Sequence, residues 1–305
     1  MLLYLRLIRL PNLLLIALSM FLVRYFMILP AFQFEYIITG EFPEHMDRLH
    51  FLLLTGATLV IAAAGYIIND VFDITADQYN RPGKNCFENK ISVKAGKRAY
   101  YLLAIIGSAI GAWLGLSTGK PALAFIHFFT AASLWMYSSY YKRTALSGNI
   151  LIAFLSSLMV MLPGLFEPAY YPNIIYLAFY GIFSFFISLI REIIKDMEDV
   201  EGDTIMNCRT LPIRYGLRRT KYFTLILLGI LLAALSTVIY YYFHESTVIS
   251  WWNLLLIFVL PLIGLAYLIS TAEDKRDFHF ASLFAKIYMT FGIISIFPFW
   301  YYFLR

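Results

Sequence analysis

The chain has 305 residues, is 61% hydrophobic and 18% aromatic, and is charged at only 14% of positions. With a mean hydropathy of +0.72, that composition excludes an ordinary soluble domain and describes a polytopic membrane protein. The formal net charge of +5 gives no reason to invoke nucleic acid, because the distribution of the basic residues along the chain accounts for it.

Apolar runs close to the roughly 20 residues that cross a bilayer occur nine times. They are 10–31, 49–69, 98–116, 119–140, 148–166, 172–194, 221–243, 251–271 and 280–303. The first is long, carries Arg24 and lacks a small-residue cleavage site, so it reads as a retained helix and not a signal peptide. Arg24 is expected to snorkel or to pair within the bundle. The runs lack the alternation of a barrel, and only helices then satisfy their own backbone in lipid. A tight turn is expected at Gly119, and His127 in the fourth run reads as an interhelical hydrogen-bonding residue.

With a cytoplasmic N-terminus, most of the 24 Lys and Arg fall in inner segments, as the positive-inside rule requires. Cys86 and Cys208 fall on the same side and read as free thiols. No linker or low-complexity tract divides the chain, which reads as a single domain over 1–305. No Cys/His cluster of metal-ligand spacing and no glycine-rich phosphate loop is present in the sequence.

The chemistry concentrates at two inner helix ends. After the second run, NDVFDITADQYNRP (69–82) sets Asp70, Asp73 and Asp77; after the sixth, REIIKDMEDVEGD repeats the spacing at Asp196, Asp199 and Asp203. Positions i, i+3 and i+7 share one helix face, so each trio is expected to form a stripe of carboxylates whose mutual repulsion asks for a cation. Mg2+ takes oxygen ligands, keeps several waters and is commonly held by one or two carboxylates plus substrate phosphates. Two stripes on one membrane side therefore read as two metal-assisted grips on one diphosphate, meeting across a central cavity open to the cytoplasm. Asn69 adds an amide oxygen to the first. A single acidic helix end is most often a solvated cap; the symmetric repetition argues against that here.

These residues resemble the UbiA-type intramembrane prenyltransferases, whose hallmark is a pair of Asp-rich motifs of the forms NDVFDITAD and KDMEDVEGD. The resemblance covers nearly the whole chain: RLPN (9–12), the first motif with Arg81-Pro82, YSSYYKRTALSGN (137–149), and the second motif followed by RTLPIRYG (209–216). It implies an all-α membrane bundle of nine transmembrane helices that transfers a prenyl group from an isoprenyl diphosphate to an acceptor, with Mg2+ as cofactor. By the resemblance, Asn69, Asp70, Asp73, Asp196 and Asp199 hold the metal, and Asp77 and Asp203 complete the stripes. Lys142, Arg143, Arg191, Lys195 and Arg81 would neutralise the leaving diphosphate. Tyr66, Tyr137 and Tyr140 would shelter the allylic cation, and Asn12 joins the substrate-binding set.

The second motif and RTLPIRYG look closest to the geranylgeranylglyceryl phosphate type, which implies geranylgeranyl diphosphate as donor and a glycerol phosphate ether as acceptor. The loop RPGKNCFENKISVKAGKRAY departs from the family's usual continuation by its extra charge. That departure keeps an aromatic acceptor of the 4-hydroxybenzoate, naphthoate or homogentisate kind as the competing reading. A cation transporter could also use two symmetric acid clusters, but such acids sit near the bilayer midplane on broken helices, whereas these sit at one face after uninterrupted runs. A CDP-alcohol phosphotransferase would place fixed Gly and Ala within a single motif, and this sequence does not.

Overall fold

A computed structural model describes residues 2–41, 44–80, 82–83, 85–88, 91–167, 174–243 and 251–303. The α-helices, in chain order, are α1 (Leu2–Leu7), α2 (Leu10–Val23), α3 (Leu29–Thr39), α4 (Arg48–Phe72), α5 (Ile74–Asn80), α6 (Val93–Ser117) and α7 (Ile126–Ser139). They continue with α8 (Ser147–Leu165), α9 (Ile174–Glu198), α10 (Val200–Ile205), α11 (Leu211–Tyr215), α12 (Leu217–Phe243), α13 (Trp251–Thr271), α14 (Lys275–Ile294) and α15 (Ile296–Phe303). No β-strand occurs among the described residues; Thr144 and Arg209 form an isolated bridge.

Among the described residues, 8 helical segments are long and apolar enough to cross a membrane, and they match eight of the nine expected runs. The remaining run, 119–140, is divided. Gly119 closes a turn at φ +69°, Pro121–Phe125 forms a 3-10 turn, and α7 has only 14 residues. Pro121 has no N–H and a fixed φ, so it starts a helix and cannot continue one.

The chain falls into two compact units, one of Met1–Lys142 with Leu158–Gly181, the other of Arg143–Ser157 with Ile182–Arg305. In the first, α6 carries Gly107, Gly111 and Gly115 at four-residue spacing. A Cβ on Gly107 would meet Ile61 of α4 at 2.7 Å, and one on Gly111 would meet His127 Nδ1 of α7 at 2.3 Å. Small residues of this kind let backbones approach where lipid provides no hydrophobic drive between helices. His127 is buried with Nε2 at 3.4 Å from Thr58 Oγ1 of α4, the interhelical role expected of it.

Arg24 begins a π turn (Arg24–Ile28) and pairs within the bundle: its buried guanidinium bonds Glu167 and the Met46 carbonyl, while the Met46 N–H donates to Glu167 Oε2 at 2.8 Å. In the second unit, Ile187, Ile190, Ile194 and Met197 line one face of α9 and pack with Leu228 and Leu231 of α12, Leu262 and Leu265 of α13, and Ala281, Ala285 and Tyr288 of α14. That three-and-four spacing is the stripe a helix buries against neighbours. Neither Cys86 nor Cys208 is in a disulfide, and both are buried.

Candidate active site

Both Asp motifs depart from the unbroken stripe in the same way. α4 stops at Phe72 and α5 starts at Ile74, with Asp73 between them at φ −92°, ψ 2°; α9 stops at Glu198 and α10 starts at Val200, with Asp199 at φ −99°, ψ 10°. The hydrogen-bond ladder runs on through each bend, from Asp73 N–H to Asn69 O at 2.9 Å and from Asp199 N–H to Lys195 O at 2.9 Å. It resumes at Asp77 N–H to Asp73 O and Asp203 N–H to Asp199 O. Aspartate is a weak helix former whose side chain competes with the backbone, and this sparsely allowed backbone region often holds active-site residues.

In the first cluster each carboxylate has a donor. Arg9 Nη2 reaches Asp70 Oδ1 at 2.8 Å and its guanidinium lies over the Tyr66 ring, 5.0 Å from the centroid. Burial works against the Arg9 charge, but the charge and hydrogen bond of Asp70 outweigh it and hold the guanidinium above its ordinary pKa. Lys142 forms a salt bridge with Asp73, which also accepts the Asn69 amide at 2.6 Å. Asn85 Nδ2 bridges Asp77 Oδ2 and the Asp70 carbonyl, both at 2.8 Å, and Asn85 Oδ1 accepts the Phe87 N–H. In the second cluster, Asn149 of α8 donates to Asp196 Oδ2 at 2.9 Å, and Lys195 places positive charge beside it. Asp203 is buried, with its carbonyl accepting the Cys208 N–H at 2.9 Å.

The other expected site residues have these contacts. Arg191 pairs with its neighbour Glu192 at 2.6 Å. Arg143 is exposed, and its carbonyl accepts the Arg209 N–H at 2.7 Å. Tyr140 is 64% exposed and packs edge-on against Tyr141; Tyr137 is half-buried near the end of α7. Asn12 lies in the first turn of α2, its N–H donating to Arg9 O at 2.8 Å. Arg81 lies outside the described residues. Arg9, Asn85 and Asn149 are contacts that sequence reasoning did not assign. Arg9 and Asn149 lie inside stretches noted for resemblance, and Asn85 inside the loop noted for its departure.

Among the described residues, no three Asp, Glu, His or Cys side chains converge as a complete metal cage. Each cluster instead offers two carboxylates a turn apart, and the first adds an amide oxygen. That set fits a hard cation that takes few protein ligands and completes its shell with water and phosphate.

The sequence model of the UbiA prenyltransferase family matches residues 27–290. The chain is 31% identical to a digeranylgeranylglyceryl phosphate synthase of Saccharolobus solfataricus over 77% of this chain and 78% of that one. It is 35% identical to the protein of the same name from Sulfolobus acidocaldarius over 60% and 64%. Among solved structures, one described as digeranylgeranylglyceryl phosphate synthase in membranes aligns with TM-score 0.63 at 25% identity, covering 97% of this chain and 96% of that chain. A UbiA homolog from Archaeoglobus fulgidus bound to DMAPP and Mg2+ shares the fold at TM-score 0.58 and 14% identity, over 97% and 99%.

Proposed function

The chain belongs to the UbiA prenyltransferase family, and from that membership we propose that it transfers a geranylgeranyl group from geranylgeranyl diphosphate to a geranylgeranylglyceryl phosphate-like glycerol phosphate ether. It is a multi-pass membrane enzyme. The acceptor rests on one observation: relatives named digeranylgeranylglyceryl phosphate synthase share 31–35% identity with it. In this reading the whole chain is one domain of nine spans, with the N-terminus and a central cavity's mouth on the cytoplasmic side.

Asp70, Asp73 and Asn69, with Asp196 and Asp199, are assigned to Mg2+ and the diphosphate, and Asp77 and Asp203 support them. When bound, Mg2+ would neutralise charge building on the departing pyrophosphate. Lys142, which forms a salt bridge with Asp73, is assigned to bonding the same oxygens as the allylic C–O bond breaks. Arg81, Arg143, Arg191 and Lys195 are assigned to cationic potential around the diphosphate, and Tyr66, Tyr137 and Tyr140 to sheltering the developing allylic cation. The acceptor hydroxyl then forms the new C–O bond and releases its proton. Asn12 is assigned to substrate binding.

The test is pyrophosphate release from geranylgeranyl diphosphate by purified protein with and without Mg2+, offering geranylgeranylglyceryl phosphate and, separately, phenolic acids. Mass spectrometry is expected to find the digeranylgeranyl ether only with the glycerol phosphate acceptor. Product with a phenolic acid alone would keep the chemistry and overturn the acceptor.

A further inference from the structure

RLPN joins α1 to α2 through Arg9, whose backbone is left-handed at φ 52°, ψ 54°, a conformation few residues other than glycine adopt. From this turn the Arg9 guanidinium spans two partners on α4, the carboxylate of Asp70 at 2.8 Å and the face of Tyr66 one turn earlier. The pair is open: the Arg9 side chain keeps 39% of its surface accessible and Asp70 14%, against 3% and 0% for Arg24 and Glu167. Arg9 also feels the charge of Asp73.

We propose that Arg9 is an exchangeable counter-cation of the first Asp cluster and a contact of the substrate's diphosphate. Resting on the proposed reading of a diphosphate substrate, the inference assigns Arg9 two partners in turn. In the empty site it neutralises Asp70. In the loaded site Asp70 is needed as a metal ligand, and two cations crowding one carboxylate oxygen repel each other. Arg9 then releases Asp70 and turns its donors to phosphate oxygens. A guanidinium suits this exchange because its planar fork matches carboxylate and phosphate alike and stacks on aromatic faces. The consequence is a sign change. Arg9 competes with metal for Asp70 when no diphosphate is present, and cooperates with metal once diphosphate is bound.

The experiment measures Mn2+ binding by electron paramagnetic resonance, and pyrophosphate binding at fixed Mg2+ by calorimetry, on purified full-length protein and on Arg9→Asn, Arg9→Lys and Asp70→Asn. Asparagine tolerates the left-handed backbone, so Arg9→Asn removes the charge and keeps the turn. A charged hydrogen bond gained or lost corresponds to about tenfold in affinity. Arg9→Asn is expected to bind Mn2+ alone about that much tighter and pyrophosphate about that much more weakly, with Arg9→Lys between it and the unmodified protein on both axes. If Arg9→Asn weakens both, Arg9 only positions Asp70 and the proposal falls; if it changes neither, the pair is an idle surface bridge and the proposal falls. Asp70→Asn that binds both ligands like the unmodified protein would remove the diphosphate reading at this cluster, and the proposal with it, an outcome distinct from any Arg9 result. Arg9→Lys serves as the folding control, compared by thermal melting.

Discussion

The two Asp clusters share spacing, backbone bend and hydrogen-bond ladder, yet different chemistry holds them. In the first, cations sit on the carboxylates, Arg9 on Asp70 and Lys142 on Asp73. In the second, a neutral amide does the work at Asp196, while Arg191 is engaged by Glu192 and Glu198 pairs with His279 of α14. A carboxylate held by a cation is neutralised in advance, and the cation becomes available to an arriving anion. Asp196, held by an amide, has no salt-bridged cation to hand to an arriving anion. In the proposed reading, the cations that an arriving diphosphate takes over are those on Asp70 and Asp73.

The largest effects should come from what the clusters have in common. Asp73→Asn and Asp199→Asn are each expected to lower kcat by more than about 100-fold without lowering the melting temperature, since each removes a charge from the transition-state assembly. Full activity in either purified variant would end the metal and diphosphate assignment. Next comes the difference between the sites. Lys142→Met should cost about 100-fold in kcat and resist rescue by added Mg2+, because in the proposed reading the lost donor acts on the leaving group. Asn149→Ala should cost about tenfold, as loss of a partner that orients a metal ligand does, and excess Mg2+ should restore most of the rate. Equal rescue of both by Mg2+ titration would erase the distinction between the clusters.

How much of this was readable beforehand follows from what each signal depends on. The membrane class, eight of the spans and both carboxylate trios are local patterns of hydropathy and spacing, and a single sequence carries them openly. The bends at Asp73 and Asp199 were not readable, because a perfect i, i+3, i+7 spacing is compatible with a straight helix. The divided run at Pro121 was legible only as the turn expected at Gly119, because the 3-10 turn that follows is too short to carry a period of its own. Contacts such as Asn149 with Asp196 join residues 47 apart in the chain, so no periodicity could announce them. Basic residues were the least legible of all. Lys142 and Arg143 are adjacent in sequence, but one pairs with Asp73 while the other offers its carbonyl to Arg209.

The smallest effect on catalysis is expected where α4 begins, about 37 Å from Asp73 at 1.5 Å per residue over its 25 residues. There Arg24 and Glu167 are sealed from solvent and both bond the Met46 backbone. Arg24→Leu alone strands a buried carboxylate and should cost about 3–5 kcal/mol of stability. Adding Glu167→Leu removes that stranded charge but leaves both the Met46 N–H and carbonyl without these partners, at roughly 1–3 kcal/mol each, so the double variant should recover only part of the lost stability. Thermal unfolding in detergent reads both, and kcat of the surviving folded fraction should stay within about twofold, because neither side chain touches an Asp cluster. A double variant as unstable as the single one would show that the pair is needed for its geometry around Met46, and a large loss of kcat at full stability would tie this sealed pair to the chemistry at the far end of α4.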